Sequence, residues 1–147
     1  MPFEPIITRN VGVPDAWEID VYESRGGYKA LPKTLKEFEP AKLVELINNA
    51  SLRGRGGAGF PAGRKWSLIP AAATETYLVC NADESEPGSF SNHELMLWDP
   101  HSLVEGVIIS AYAIRSKFAV IYMRGEFGLA ARRMERAIEQ ALSLIHI

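Results

Sequence analysis

Residues 77–142 read YLVCNADESEPGSFSNHELMLWDPHSLVEGVIISAYAIRSKFAVIYMRGEFGLAARRMERAIEQAL, and this stretch decides the fold class. A short apolar run at residues 77–80 predicts a buried strand, and a run rich in β-branched and aromatic types at residues 118–123 predicts a second strand. Apolar residues recur at helical spacing over residues 100–115 and 129–142. The order strand, helix, strand, helix predicts parallel strands with a right-handed crossover, and hence an α/β domain.

Ligands in α/β sheets bind beyond the carboxyl ends of the strands. In this chain those positions are residues 81–90 and residues 124–127. Residues 81–92 are polar and rich in turn-forming types, so we expect no long helix or strand there. These two segments are the first places in which to look for site residues.

The residues before the first predicted strand comprise an irregular arm and a helical segment. Residues 1–30 are rich in proline and glycine, and the alternation at residues 17–21 allows at most a short strand. We interpret them as an N-terminal arm packed on one domain at residues 31–147. Apolar spacing after a proline predicts a helix over residues 40–49, and a short helix is expected over residues 64–69.

Composition indicates one ordinary soluble globule without a membrane span. The chain has 147 residues, is 47% hydrophobic and carries a formal charge of −2. Residues 1–12 do not have the pattern of a secretory signal, and the longest apolar run is far short of the roughly 20 residues that span a bilayer. The single cysteine, Cys80, forms neither an internal disulfide nor a cysteine zinc site, so we expect a reducing, cytoplasmic setting. The mild acidity argues against a nucleic-acid binder.

A glycine-rich loop at residues 54–63 holds five of the 12 glycines. Glycine lets backbone N–H groups converge on a phosphate, and no acidic residue occurs between residues 46 and 74. The cations of this window are Arg53, Arg55, Arg64 and Lys65. The pattern predicts an anion-binding loop, and the alternative is a flexible solvated loop.

Two known phosphate-binding motifs do not fit this loop. Gly54, Gly56 and Gly59 satisfy G-x-G-x-x-G, but the dinucleotide fingerprint follows a strand, whereas this loop follows a predicted helix. A Walker A loop fails because Gly63 is followed by Arg64 rather than by lysine and a hydroxyl residue. The sequence therefore predicts a non-standard phosphate cradle.

An acidic loop, residues 81–88, directly follows the first predicted strand. It places Asp83, Glu84 and Glu86 within four residues, and like charges this close repel unless something pairs with them. The partner could be the basic loop, a ligand with hydroxyl or amide donors, or a divalent cation. A plain acidic surface turn is the remaining alternative.

Other candidates carry weaker signals, and we predict no metal site. Cys80 at the end of a strand is interpreted as a packed thiol. His93, His101 and His146 lack metal-like spacing, and His101 falls in the first turn of a predicted helix, where a surface histidine is common. Three aromatic residues could stack on a planar ring or belong to the core: Phe60, Trp66 and Phe90.

Five strings in fixed order carry a family resemblance that runs from about Thr8 to Ala141. They are LRGRGGAGFP (52–61), KWS (65–67), NADESEPG (81–88), DPH with LVEG (99–106) and IYMRGEF (121–127). They closely resemble the NADH-binding, FMN-containing subunit of respiratory complex I, the 51 kDa or F subunit. Flavin subunits of NAD-linked formate dehydrogenases and bidirectional hydrogenases share these strings.

The resemblance implies a Rossmann-like βαβα domain of an FMN-dependent NADH:quinone oxidoreductase subunit. FMN would accept a hydride from NADH and pass electrons singly through iron-sulfur clusters toward quinone. The implied partners are other peripheral-arm subunits of complex I, including the 24 kDa [2Fe-2S] subunit. The implied location is the cytoplasmic face of the inner membrane, without direct membrane insertion.

The resemblance also assigns site residues. The loop residues Gly54, Arg55, Gly56, Gly57, Ala58 and Gly59, with Lys65, would approach FMN. Asn81, Asp83 and Glu84 would contact its ribityl and phosphate side. Phe60, Lys65 and Glu86 would place NADH against the flavin, with Glu86 as the catalytic candidate.

Three departures from the family pattern are evident. Leu68 replaces an aromatic residue, and Ser91-Asn92-His93 replaces a Lys-Asp-Arg segment. The family continues with a second acidic segment, a ubiquitin-like region and a helical bundle whose four cysteines hold a [4Fe-4S] cluster, and those ligands are absent here. Residues 143–147 leave the pattern as well, so we expect a fragment. The alternatives are a flavin subunit of an NAD-linked hydrogenase or formate dehydrogenase, and a non-catalytic phosphate-binding or assembly fragment.

Overall fold

A computed structural model describes residues 4–145 of the chain. The predictions that fall on residues 1–3 and on His146 and Ile147 lie outside this range. Seven helices and two strands occur within it. They are α1 (Ile19–Ser24), α2 (Ala30–Glu37), α3 (Pro40–Asn49), α4 (Ala62–Ser67), β1 (Tyr77–Ala82), α5 (Ser91–Trp98), α6 (Pro100–Ala113), β2 (Phe118–Met123) and α7 (Gly128–Ile145).

The predicted α/β fold is confirmed. The strands β1 and β2 are neighbours in one parallel sheet, and α6 lies between them along the chain. The predicted helices over residues 40–49, 100–115 and 129–142 correspond to α3, α6 and α7. The helix α6 begins at Pro100, where the sequence pattern predicts it.

The structure differs from the sequence-based expectation at three helices, α1, α2 and α5. The stretch Trp17–Val21 forms no strand, because α1 begins at Ile19 and turns Tyr22, only 3% exposed, into the core. The helix α2 was not predicted because only Leu31 and Thr34 of its residues are buried, too few for a periodic pattern. The helix α5 was not predicted either, because the carboxylate that accepts from its first N–H groups belongs to Glu84, upstream of the helix.

The strands are less buried than their apolar sequences predict. Tyr77 and Val79 on β1 are each 64% exposed, and Phe118 and Tyr122 on β2 are exposed as well. Continuous apolar runs are typical of strands covered on both faces, but here the sheet has only two strands and one of its faces is open. The strand predicted at residues 77–80 is present as β1, but the prediction that it is buried is wrong.

The chain divides into two compact units. The first unit comprises the described parts of residues 1–29, 80–106 and 121–147, and the second comprises residues 30–79 and 107–120. None of the helices within residues 4–145 is both long and apolar enough to cross a membrane.

An arginine between two tryptophans joins α5 to α7 in the first unit. The guanidinium carbon of Arg133 lies 3.3 Å from the ring centroid of Trp17 and 5.8 Å from that of Trp98. Its Nη1 donates a hydrogen bond to the carbonyl of Leu97 at 2.5 Å. The cation thus satisfies a carbonyl near the end of α5 while its planar group packs on an aromatic face.

His101 lies at the centre of a buried polar network in the same unit. It is 0% exposed, so the expectation of a surface histidine is wrong. Gln140 donates from Nε2 to Glu18 at 3.1 Å, which leaves its Oε1 to accept from His101 Nε2 at 3.0 Å. Burial lowers the pKa of His101 and so favours the neutral ring, whose Nδ1 then accepts from the Tyr28 hydroxyl at 2.9 Å.

Candidate functional site

Backbone hydrogen bonds close the glycine-rich loop at its base. Gly54 N donates to Phe60 O at 2.9 Å, and Ala62 N donates to Leu52 O at 2.8 Å. The loop stands in the second unit, with α4 following directly after it. Residues 55–58 are exposed at its tip, and a depression of about 470 Å³ lies against its base.

The tip of the loop adopts backbone conformations that favour glycine. Gly57 has a φ of +104° and Gly59 a φ of +60°, both in the region that residues with a Cβ rarely adopt. Within residues 4–145, the backbone N–H groups of residues 55–59 donate no hydrogen bond. These donors are available to an external acceptor, as a phosphate cradle requires.

The cations around the loop stay unneutralised. Within the described part of the chain, neither the three arginines nor the lysine of this segment forms an ion pair with a carboxylate. Arg53 donates to the Gly59 carbonyl at 3.3 Å, and Arg64 lies 5.9 Å from the ring centroid of Phe60. Lys65 is exposed on α4. The positive charge is thus free to meet an anion at the loop.

Gly63 has a different role from the other glycines of this stretch. It is buried in α4, and a Cβ placed on it would lie 2.5 Å from the Cα and N atoms of Asn48 on α3. The absence of a side chain at Gly63 therefore permits the close approach of two helices, whereas the glycines at the loop tip face open space.

The acidic loop lies in the first unit and begins with a local turn. Asn81 Oδ1 accepts a hydrogen bond from the backbone N–H of Asp83 at 3.0 Å. Ser85 Oγ donates to Asp83 Oδ2 at 2.5 Å, and Asn92 Nδ2 donates to the Asp83 carbonyl at 3.3 Å. The backbone conformation of Asp83 is therefore fixed from both sides.

Glu84 is turned inward and is only 6% exposed. Its Oε1 accepts from Ser89 Oγ at 2.9 Å, Ser91 Oγ at 3.0 Å and Asn92 N at 3.1 Å. Its Oε2 accepts from His93 N at 3.0 Å. Burial by itself raises the pKa of this carboxyl, but the four hydrogen bonds to its charged form outweigh it, and the pKa is lowered.

Glu86 and Asn81 lie exposed on the same loop. Within residues 4–145 the Glu86 carboxylate has no hydrogen-bond partner. Arg124, directly after β2, donates from Nη1 to the Glu84 carbonyl at 3.1 Å and pairs with Glu126. The ends of both strands therefore contribute polar groups, as their position in the sequence predicts.

The two loops belong to different compact units. Within the described residues, one loop has free N–H groups and cations without ion pairs, and the other has the outward carboxylate of Glu86. That both loops bind one ligand remains a prediction.

Among the weaker candidates, Cys80 is half-buried. Burial raises the pKa of its thiol, in agreement with a packed, protonated side chain. The His93 ring packs on Phe127 at a centroid distance of 4.6 Å, and Phe60 and Phe90 are exposed. The described residues contain no group of three or more His, Cys, Asp or Glu side chains suited to a metal ion.

Comparison with known proteins gives consistent matches. The family model of the Nuo51 FMN-binding domain matches residues 47–147. The F 2 subunit of the NADH-quinone oxidoreductase of Rhizobium meliloti is 54% identical over 140 residues, which are 95% of this chain and 33% of the relative. The F subunit of the NADH-quinone oxidoreductase of Escherichia coli is 45% identical over 125 residues, 84% of this chain and 28% of the relative.

A hydrogenase structure and a hydrogenase subunit are similar as well. A chain in the crystal structure of an air-oxidized NAD+-reducing [NiFe]-hydrogenase has a TM-score of 0.74 and 33% identity, with 95% of this chain and 23% of that chain covered. The NADP-reducing hydrogenase subunit HndC of Solidesulfovibrio fructosivorans is 44% identical, with 92% and 28% covered. The chain spans about a third of the length of the curated relatives it matches.

Proposed function

This chain belongs to the Nuo51 FMN-binding domain family, and we propose that it is the FMN-binding portion of the F subunit of an NADH-quinone oxidoreductase. In the complete subunit it would receive a hydride from NADH for onward transfer of electrons through iron-sulfur clusters to quinone. The observation that supports the proposal most directly is the exposed loop of free N–H groups and unpaired cations, which lies within the segment matched by the family model.

The residues present fit a flavin mononucleotide. The free N–H groups of Arg55, Gly56, Gly57, Ala58 and Gly59 suit its phosphate, and Lys65 adds positive charge. The N–H group of Gly54 closes the base of the loop by donating to Phe60 O. Asn81 and Asp83 offer acceptors to the ribityl hydroxyl groups. When bound, FMN supplies the redox chemistry by taking a hydride and releasing single electrons.

NADH would be held by a different set of groups. Phe60 offers an exposed ring for stacking, and Lys65 offers a charge to the pyrophosphate. The unpaired Glu86 carboxylate would accept hydrogen bonds from the ribose or the nicotinamide amide and so orient the hydride donor.

We further propose the assembly and the location of the complete subunit. Its partners would be other peripheral-arm subunits, including the 24 kDa [2Fe-2S] subunit, on the cytoplasmic face of the inner membrane. A [4Fe-4S] cluster would be held outside this chain, whose only cysteine is Cys80. The second candidate is a flavin subunit of an NAD(P)-linked hydrogenase, because a hydrogenase chain matches 95% of the residues with a TM-score of 0.74.

Titration of the purified chain with FMN, followed by anaerobic addition of NADH, tests the proposal. We expect saturable quenching of flavin fluorescence and then bleaching of the flavin absorbance. Lys65→Ala should weaken FMN binding by about tenfold, the effect of one charge-assisted hydrogen bond. Lys117→Ala, which removes an exposed cation of the same unit, serves as the matched control. A folded chain that quenches no flavin would contradict the proposal and favour an assembly fragment.

A pair of neighbouring glycines tests the shape of the cradle. Gly56 and Gly57 both face open space, but only Gly57 has a positive φ. Gly57→Ala imposes a strain of about 1–2 kcal/mol, so the loop relaxes and FMN affinity falls by about tenfold. Gly56→Ala should change the affinity by about twofold at most. Equal dissociation constants for the two variants, measured by fluorescence quenching, would contradict this conformation of the loop.

A further inference from the structure

Glu84 supplies the N-terminal cap of α5. The residue at the cap position, Phe90, makes no side-chain hydrogen bond to the helix, although the first N–H groups of any helix need acceptors. The carboxylate of Glu84 accepts from two of these N–H groups, those of Asn92 and His93. Its negative charge also lies at the positive end of the helix dipole.

This cap closes residues 84–93 into a ring. The Glu84 carboxylate accepts hydrogen bonds from Ser89, Ser91 and Asn92. The segment at residues 85–90 is therefore held at both of its ends. Inside the ring, Ser89 N donates to the Glu86 carbonyl at 3.1 Å, and Gly88 has a φ of +80° that permits the turn. Glu86 is therefore presented outward from a turn whose shape depends on Glu84.

Two further hydrogen bonds hold the backbone of this turn. Arg124 donates to the Glu84 carbonyl, and Asn92 donates to the Asp83 carbonyl. Both donors follow the acidic loop in the chain: Asn92 lies on α5, and Arg124 directly follows β2. The inward carboxylate and these two backbone contacts fix where Asp83 and Glu86 stand.

We propose that Glu84 is a positioning residue, which holds Asp83 and Glu86 in place for flavin and nucleotide without contacting either ligand itself. Both of its carboxylate oxygens already accept hydrogen bonds, and its side chain is buried while Glu86 is exposed. The proposal rests on the proposed function and assigns to Glu84 a role different from the direct cofactor contact that the family resemblance implies.

Three variants of the full chain test this role: Glu84→Gln, Glu86→Gln and the double variant. Glutamine at position 84 can accept through one oxygen only, so we expect amide hydrogen exchange at Asn92 and His93 to rise by about tenfold. The NADH concentration for half-maximal flavin bleaching should rise by about five- to tenfold. The FMN dissociation constant should change by about twofold at most, because Asp83 keeps its own hydrogen bonds with Asn81, Ser85 and Asn92.

The double variant separates positioning from direct contact. If Glu84 acts through Glu86, the NADH concentration for half-maximal flavin bleaching should be no higher for the double variant than for Glu86→Gln alone. Multiplicative losses of NADH affinity, or a tenfold loss of FMN affinity with unchanged amide exchange, would overturn the proposal. Ser91→Ala removes one hydrogen-bond donor to the Glu84 carboxylate and keeps the carboxylate itself. We expect smaller increases in amide exchange and in the NADH concentration for half-maximal bleaching than in Glu84→Gln. This variant replaces Glu84→Gln if Glu84→Gln does not fold.

The wild-type chain distinguishes failure of this role from failure of the function. A folded wild-type chain that neither binds FMN nor is bleached by NADH contradicts the proposed function and the Glu84 role together. If the wild-type chain binds FMN and is bleached by NADH, but the losses of NADH affinity in Glu84→Gln and Glu86→Gln multiply in the double variant, only the Glu84 role is contradicted.

Discussion

Gly63→Ala is expected to lower the free energy of unfolding by about 2–3 kcal/mol, the usual cost of forcing an extra carbon into a packed contact. The added Cβ would lie 2.5 Å from the backbone of Asn48 on α3. A flexible side chain could rotate away, but backbone atoms inside a helix cannot, so α4 must move off α3. Because α4 carries Lys65 and directly follows the glycine-rich loop, FMN affinity should fall as well.

A glycine-to-alanine substitution at another helical position provides a control, in which the free energy of unfolding should rise instead of fall. A Cβ at Gly106, within α6, would meet no heavy atom within 4 Å. Gly106→Ala should therefore stabilise the chain by roughly 0.5–1 kcal/mol through helix propensity. Urea denaturation followed by far-UV circular dichroism measures both variants. If Gly63→Ala were as stable as Gly106→Ala, the close packing of α3 on α4 would be wrong.

Acidification should destabilise the first unit through His101. Burial lowers the pKa of this imidazole below its ordinary value of 6.5, although Gln140 and Glu18 oppose the shift. The unfolded chain then binds a proton that the folded chain does not. The contribution of the neutral His101 ring to the free energy of unfolding is fully present above the pKa of the ring in the unfolded chain. It is lost, at about 1.4 kcal/mol per pH unit, as the pH falls toward the pKa of the ring in the folded chain.

His101→Gln isolates this contribution from other titrating groups. As the pH falls below about 6.5, the free energy of unfolding of the wild type should fall more steeply than that of the variant. Burial raises the pKa of Asp99, which by itself makes the folded state more stable as the pH falls. This effect is present in both proteins, so the difference between their slopes is due to His101. Parallel denaturation profiles would show that the folded state accommodates the protonated ring.

Periodic segments were predictable because their signal is local and repeated. The boundaries of α3 and β2 agree with the predicted ranges at residues 40–49 and 118–123. The helix α5 gave no such signal, because its stability depends on a cap from Glu84 upstream and on the packing of Arg133 and Trp98. The short α1 was misjudged because alternation over five residues fits a strand as well as a helix of one or two turns.

The sequence by itself determined the α/β class, the family, and the separation of charge into a basic glycine-rich loop and an acidic loop. These properties depend on residue types and on spacing within short segments. Only the tertiary structure decided that Glu84 faces inward while Glu86 faces outward, that His101 is buried, and that Gly63 touches a helix. The physical reason is that burial comes from partners distant in sequence: Tyr28 is 73 positions from His101, and Gln140 is 39.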